Sequence, residues 1–149
     1  MYRKSKMAPI KGHIHGITIY KTLDPYSTTH QCVDLARRYY LRKFHVTFPD
    51  VQNAYDLFDL TDAIDLRTNK KIKFHMIYNS PSEMPQRGDM IIWKPVGQYH
   101  PTGHVAIMKE VVNRSIVTVA EQNGPTQNGH RNIRIHHPGI IGWMRIDFP

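Results

Sequence analysis

Cys32 to Phe44 reads CVDLARRYYLRKF, and the fold is read outward from this stretch. Cys32, Val33, Leu35, Ala36, Tyr39, Tyr40 and Phe44 recur at the i, i+3, i+4, i+7, i+8 spacing of one helical face. Arg37, Arg38, Arg42 and Lys43 fill much of the remainder. Ser27, Thr28 and Thr29 are N-cap candidates, and Thr28 with Gln31 fits a capping box. Whichever residue caps the helix, Cys32 falls in its first turn. There, unpaired N–H groups and the positive end of the helix dipole favour an anion.

Downstream, a second helix is predicted from Asp50 to about Leu60, capped by Asp50, with Val51, Ala54, Tyr55 and Phe58 as its stripe. Upstream, Gly12 to Tyr20 reads as one short strand, and Lys73 to Tyr78 reads as extended. From Gly88 the pattern turns to strands: Met90–Trp93, Val105–Val112, Ser115–Ala120 and Ile140–Ile146. Helices followed by closely spaced strands predict an α+β domain in which N-terminal helices pack on a mainly antiparallel sheet.

The 149 residues suit one domain, and 40% apolar content is enough for a core. No apolar run is long enough to span a membrane. The start, MYRKSKMAPIKG, is basic but lacks the apolar stretch of a secretion signal. Residues 1–12 are therefore predicted as a flexible basic arm, residues 13–149 as the folded domain, and the setting as cytoplasmic. The formal charge of +8 suggests an acidic partner. No RNA-binding signature or zinc-finger spacing appears, however, and Arg67, Lys70, Lys71 and Lys73 read best as a solvated basic loop. No specific nucleic-acid partner is expected.

Cys32 is the single cysteine, so no internal disulfide and no cysteine-rich metal site can form. His13 with His15, or His136 with His137, completes no four-ligand set, so neither metal nor cofactor is expected. A lone cysteine is most often a small apolar core residue. Its surroundings point instead to a nucleophile. His104 opens one strand, and Glu121-Gln122-Asn123 ends the next. In an antiparallel hairpin, one register sets His104 opposite Glu121. Another sets His104 opposite Asn123 and Glu121 opposite Ala106. Both put the three residues on one face, whereas a slip of one residue would not. Met108, Val117 and Val119 share that face and are expected to pack on the Cys32 helix, bringing the thiol to the imidazole. Cys32 would then be the nucleophile, His104 its base and Glu121 the group that orients the base. The backbone N–H of Cys32 suits an oxyanion hole, and the Gln31 side chain is either a second donor there or the capping-box partner.

These residues resemble a known family. His30-Gln31-Cys32-Val33-Asp34-Leu35-Ala36-Arg37-Arg38-Tyr39, Gly88-Asp89-Met90-Ile91-Ile92-Trp93, Thr102-Gly103-His104-Val105-Ala106-Ile107, Ala120-Glu121-Gln122-Asn123 and Ile141-Gly142-Trp143-Met144 are similar, in order, to the CHAP domain (cysteine, histidine-dependent amidohydrolase/peptidase). Among its members they look most like the amidase domain of glutathionylspermidine synthetase/amidase. The resemblance implies a papain-like (NlpC-type) α+β fold and a Cys32–His104–Glu121 triad. It also implies Gln31 as oxyanion donor, Asn123 as a supporting polar group and Arg37 near an anionic end of the substrate. The expected activity is amide hydrolysis through a thioester, on glutathionylspermidine or a similar peptide–polyamine conjugate. The alternatives are a peptidoglycan amidase or endopeptidase, which the basic surface would suit, and an idle papain-like binding module, which the intact Cys, His and Glu argue against. With no ligase domain before Pro149 and no glycine-rich phosphate loop, hydrolysis is the only direction expected. The sequence leaves the oligomeric state open.

Overall fold

The computed structural model describes residues 10–21, 31–123, 126 and 128–148. Helix α1 (Gln31–Phe44) buries Cys32, Val33, Leu35, Ala36, Tyr39 and Tyr40, as their spacing requires. Asp34 in its first turn and Arg42 and Lys43 in its last complement the helix dipole. The hydroxyl of buried Tyr40 donates to Gly88 O at 2.8 Å, which pins the helix to the sheet. The predicted caps Ser27, Thr28 and Thr29 lie outside the described residues, as does the side chain of Gln31.

The segment read as one strand is a hairpin of β1 (Ile10–Ile14) and β2 (Ile17–Tyr20), with Ile14 opposite Ile17. Its turn residues His15 and Gly16 both have positive φ, 47° and 81°. Two-residue hairpin turns need that backbone to match strand twist. Ile10, Lys11 and Gly12 thus belong to a strand, not to the arm predicted for residues 1–12.

Among the described residues the main sheet has eight strands: β3 (Val46–Thr47), β4 (Asp62–Asp65), β5 (Lys70–Tyr78), β6 (Met90–Trp93), β7 (His104–Val111), β8 (Ile116–Ala120), β9 (His130–Arg134) and β10 (Ile140–Asp147). Their order is β3-β4-β5-β10-β6-β7-β8-β9, and every neighbouring pair is antiparallel. Arg67 lies in the exposed turn between β4 and β5, as predicted, but Lys70, Lys71 and Lys73 stand on strand β5, where Lys70 pairs across to Asp65 and Lys73 to Asp62. Two of the four basic residues thus face a carboxylate across the strands.

The predicted second helix is a short 3₁₀ segment, Ala54–Asp59. Asn53 precedes it, its N–H donating to Asp56 Oδ2 at 3.0 Å, while Asp50 is exposed and pairs with Arg37 at 3.2 Å. Three residues per turn align Ala54 with Leu57, and both are fully buried. The N–H of Tyr55 donates to Thr102 O, so the segment is tied to the loop that leads into β7 rather than continued as an α-helix.

Strand β6 explains the two-sided core. Met90 and Ile92 join the cluster under α1, with Val105, Ile107 and Ala120. Ile91 and Trp93 join a second cluster on the other face, with Ala106, Met108, Val117, Val119 and Trp143. A continuous apolar run is what a strand buried on both faces needs. Met108, Val117 and Val119 therefore do not pack beneath α1 as predicted. The parity held them together, but the sheet turns that face away from the helix. No helix among the described residues is long and apolar enough to cross a membrane.

Candidate active site

Cys32 is the second residue of α1, His104 the first of β7, and Glu121 follows the last residue of β8. They are 7%, 4% and 0% exposed. His104 Nε2 lies 2.6 Å from Glu121 Oε1. The same ring is hydrogen-bonded to Cys32. With Nε2 turned to the carboxylate, Nδ1 is the nitrogen left for the thiol.

The hairpin register is the second of the two that the sequence allowed. Ile107 pairs with Ala120 and Met108 with Val119, and one further step places Glu121 opposite Ala106. Beyond a bulge at Lys109 the partners slip, Glu110 to Thr118 and Val111 to Val117. Gly103 sets the entry to β7. Its φ is +73°, and a Cβ there would lie 2.6 Å from Trp93 O and 2.9 Å from Tyr55 Cβ. Only glycine lets the chain pass between them to deliver His104.

Burial works against charge on His104. Hydrogen bonds to Cys32 and Glu121, and the electrostatic pull of both groups, outweigh it and lift the imidazole pKa to about 9. Burial likewise favours neutral Glu121. Hydrogen bonds and charges from His104 and Arg131 win there and bring it down to about 2. At neutral pH the pair is imidazolium and carboxylate.

Sequence reasoning missed the residues behind this pair. Arg131, on β9 opposite Val119, donates from Nε to Glu121 Oε2 at 2.6 Å and from Nη2 to Oε1 at 3.0 Å. Nη2 also donates to the Tyr99 hydroxyl at 2.8 Å. The Tyr99 ring lies parallel on the His104 imidazole, centroids 4.7 Å apart and planes 5° apart. Trp93 meets the imidazole at a tilt, 5.2 Å away. Trp93, Tyr99 and Arg131, with Ile133, His137 and Ile140, line a cavity of about 400 Å³. Gln122, beside Glu121, is also buried. Its Oε1 accepts from Tyr20 N at 3.0 Å and Arg38 Nη2 at 2.7 Å, joining β2 and α1 to the end of β8.

The other predicted residues are placed differently. Asn123 is exposed, with a left-handed φ of 67°, while the buried polar side chain is its neighbour Gln122. Arg37 donates to Phe48 O and Pro49 O, lies 4.4 Å over the Phe48 ring and pairs with Asp50. Its described contacts run to the segment after α1, not to the triad. The backbone of Gln31 opens α1, directly before Cys32.

A CHAP domain profile matches residues 22–123, well over half of the chain and a span that holds all three residues. The chain belongs to the CHAP domain family. The bifunctional glutathionylspermidine synthetase/amidase of Escherichia coli (strain K12) is 32% identical over 93 residues, which is 62% of this chain and 15% of that protein. The trypanothione synthetase of Crithidia fasciculata is 31% identical over 94 residues, 63% of this chain and 14% of that protein. The chain thus spans about a seventh of the length of these curated relatives. The crystal structure of wild type endolysin LysIME-EF1 superposes with a TM-score of 0.56 at 24% identity, covering 84% of this chain and 56% of that one. That likeness bears on the fold, which is the expected papain-like α+β architecture. As a CHAP domain, the chain is a cysteine amidase or peptidase, a hydrolase of C–N amide bonds.

Proposed function

We propose that Cys32, His104 and Glu121 are the catalytic triad of this CHAP amidohydrolase. The observation that carries the reading is His104 itself, hydrogen-bonded to Cys32 on one side and held 2.6 Å from buried Glu121 on the other. The Cys32 sulfur attacks the amide carbon as thiolate, and the carbonyl oxygen becomes an oxyanion. Backbone N–H groups at the start of α1, that of Cys32 first, would receive it, and the Gln31 side chain is the proposed second donor. The imidazolium gives its proton to the departing amine, the C–N bond breaks and a thioester remains. His104 then takes a proton from water, the hydroxide adds to the thioester, and collapse releases the acid and regenerates the thiolate. Glu121 keeps one ring edge turned to the sulfur throughout. Arg37 and Asn123 take no part in this scheme.

For the substrate, we propose a peptide–polyamine amide of the glutathionylspermidine type, in a cytoplasmic setting. The relative named glutathionylspermidine synthetase/amidase supports this choice. A peptidoglycan amide is the second reading. The +8 formal charge favours it, because an acidic wall polymer is attracted to such a surface whereas a polyamine is repelled. Incubating the protein separately with glutathionylspermidine and with purified peptidoglycan, and detecting released amines, decides between them. Release from peptidoglycan alone would overturn the first choice. Cys32→Ala should abolish hydrolysis of whichever substrate is cleaved while leaving the circular dichroism spectrum intact. Turnover by that variant would remove the triad.

A further inference from the structure

The triad does not account for Arg131 and Tyr99. We infer that they are positioning residues which keep the shared proton on His104 and off Glu121, an inference that rests on the triad reading above. Glu121 is fully buried, and His104 reaches only its Oε1. A buried carboxylate with one oxygen unpaired relieves itself most cheaply by taking a proton, and the nearest is on the imidazolium. That transfer would leave neutral imidazole beside the sulfur and remove the positive charge that sustains a thiolate. Arg131 closes this route. Its Nε occupies Oε2 at 2.6 Å, and its Nη2 adds a second bond to Oε1 at 3.0 Å. The same Nη2 holds the Tyr99 hydroxyl, and the Tyr99 ring lies flat against the imidazole. One guanidinium therefore fixes the carboxylate directly and the imidazole through Tyr99. The brace can also be reached from outside, because Arg131 lines the cavity of about 400 Å³.

That access supplies the test. The chain has one cysteine, so alkylation by iodoacetamide reports on Cys32 alone and needs no substrate. In Arg131→Ala the acid edge of the alkylation profile should move up by about one pH unit, with the rate near pH 6 falling roughly tenfold. Guanidinium chloride at about 20 mM, far below its denaturing range, should enter the vacated space and restore much of the rate, whereas sodium chloride should not. Tyr99→Leu should shift the edge more than Tyr99→Phe, which keeps the stacked ring. If Arg131→Ala does not fold, Arg131→Lys carries the test: it keeps the charge but loses the fork, and its edge should move part of the way. An edge that stays in place in a folded Arg131 variant, or a slowed reaction that guanidinium leaves slow, would overturn the proposal. A shifted, rescued profile in a protein that hydrolyses no amide would remove the hydrolase reading and leave the brace standing.

Discussion

Two buried carboxylates in this domain are each gripped by an arginine fork, yet they titrate in opposite directions. Asp89, directly before β6, accepts from Arg145 Nε at 2.9 Å and Nη2 at 2.7 Å, and from the N–H of Gln86 at 2.7 Å. Glu121 accepts from Arg131 with nearly the same geometry. The two are almost equally inaccessible, 1% and 0% exposed. Burial nevertheless prevails at Asp89 and raises its pKa, whereas Glu121 is lowered to about 2. His104 makes the difference. A fork alone does not keep a buried carboxylate acidic; at Glu121 a positively charged ring, itself held by Cys32, supplies the rest. Asp89 is ion-paired with Arg145, whereas Glu121 lies between Arg131 and the His104 ring.

Substitution can break this contrast. Glu121→Gln keeps the shape but removes the charge that stabilises the imidazolium, and should lower kcat/KM by about 10²–10⁴-fold, measured by steady-state hydrolysis of the cleaved substrate. A loss below tenfold would place Glu121 with Asp89 as mere structure. Asp89→Asn should do the reverse. It leaves the hydrolytic rate within about twofold and lowers unfolding free energy by about 2 kcal/mol in urea titration. That is less than for a fully buried pair, because Arg145 reaches solvent. The smallest effect sharpens the comparison through pH. The lowered Glu121 contributes stability that is present above its unfolded pKa and lost as pH falls toward about 2. The raised Asp89 acts oppositely, since the folded state binds its proton more tightly and gains stability as pH falls through the raised value. Melting temperatures between pH 5 and 3 should therefore fall less steeply in Glu121→Gln than in the parent, and more steeply in Asp89→Asn.

Much of this was legible in the sequence where one periodicity governed a whole element. The stripe of α1 and the apolar run of β6 announced themselves, and hairpin parity brought His104 and Glu121 to one face. Parity could not say which face the helix would cover, because that depends on how β6, β7 and β10 stack, and so Met108, Val117 and Val119 were misplaced. Strand β9 was not seen at all. In HRNIR only Ile133 is apolar, as befits a strand at the edge of the sheet, so its pattern is that of a polar loop. Arg131 was lost with it. Tyr99 sits in a three-residue 3₁₀ turn, Gly97–Tyr99, too short to carry a period. The 54–59 segment failed for another reason. Its apolar residues fit an α-helical stripe, but the bond from Tyr55 to Thr102 and the Asn53–Asp56 contact favour the tighter turn.

The bulge at Lys109 separates the working end of the β7–β8 hairpin from its tip. On the inner side Ile107 and Met108 keep their partners, and the slip by one occurs only beyond them, toward Val112–Ser115. A change of one residue in tip length would ordinarily flip every side chain of one strand and carry Glu121 off the His104 face. Here the bulge can absorb it. The exposed tip is accordingly the place where loops could be lengthened, tags inserted or a binding module grafted without disturbing the chemistry at the other end.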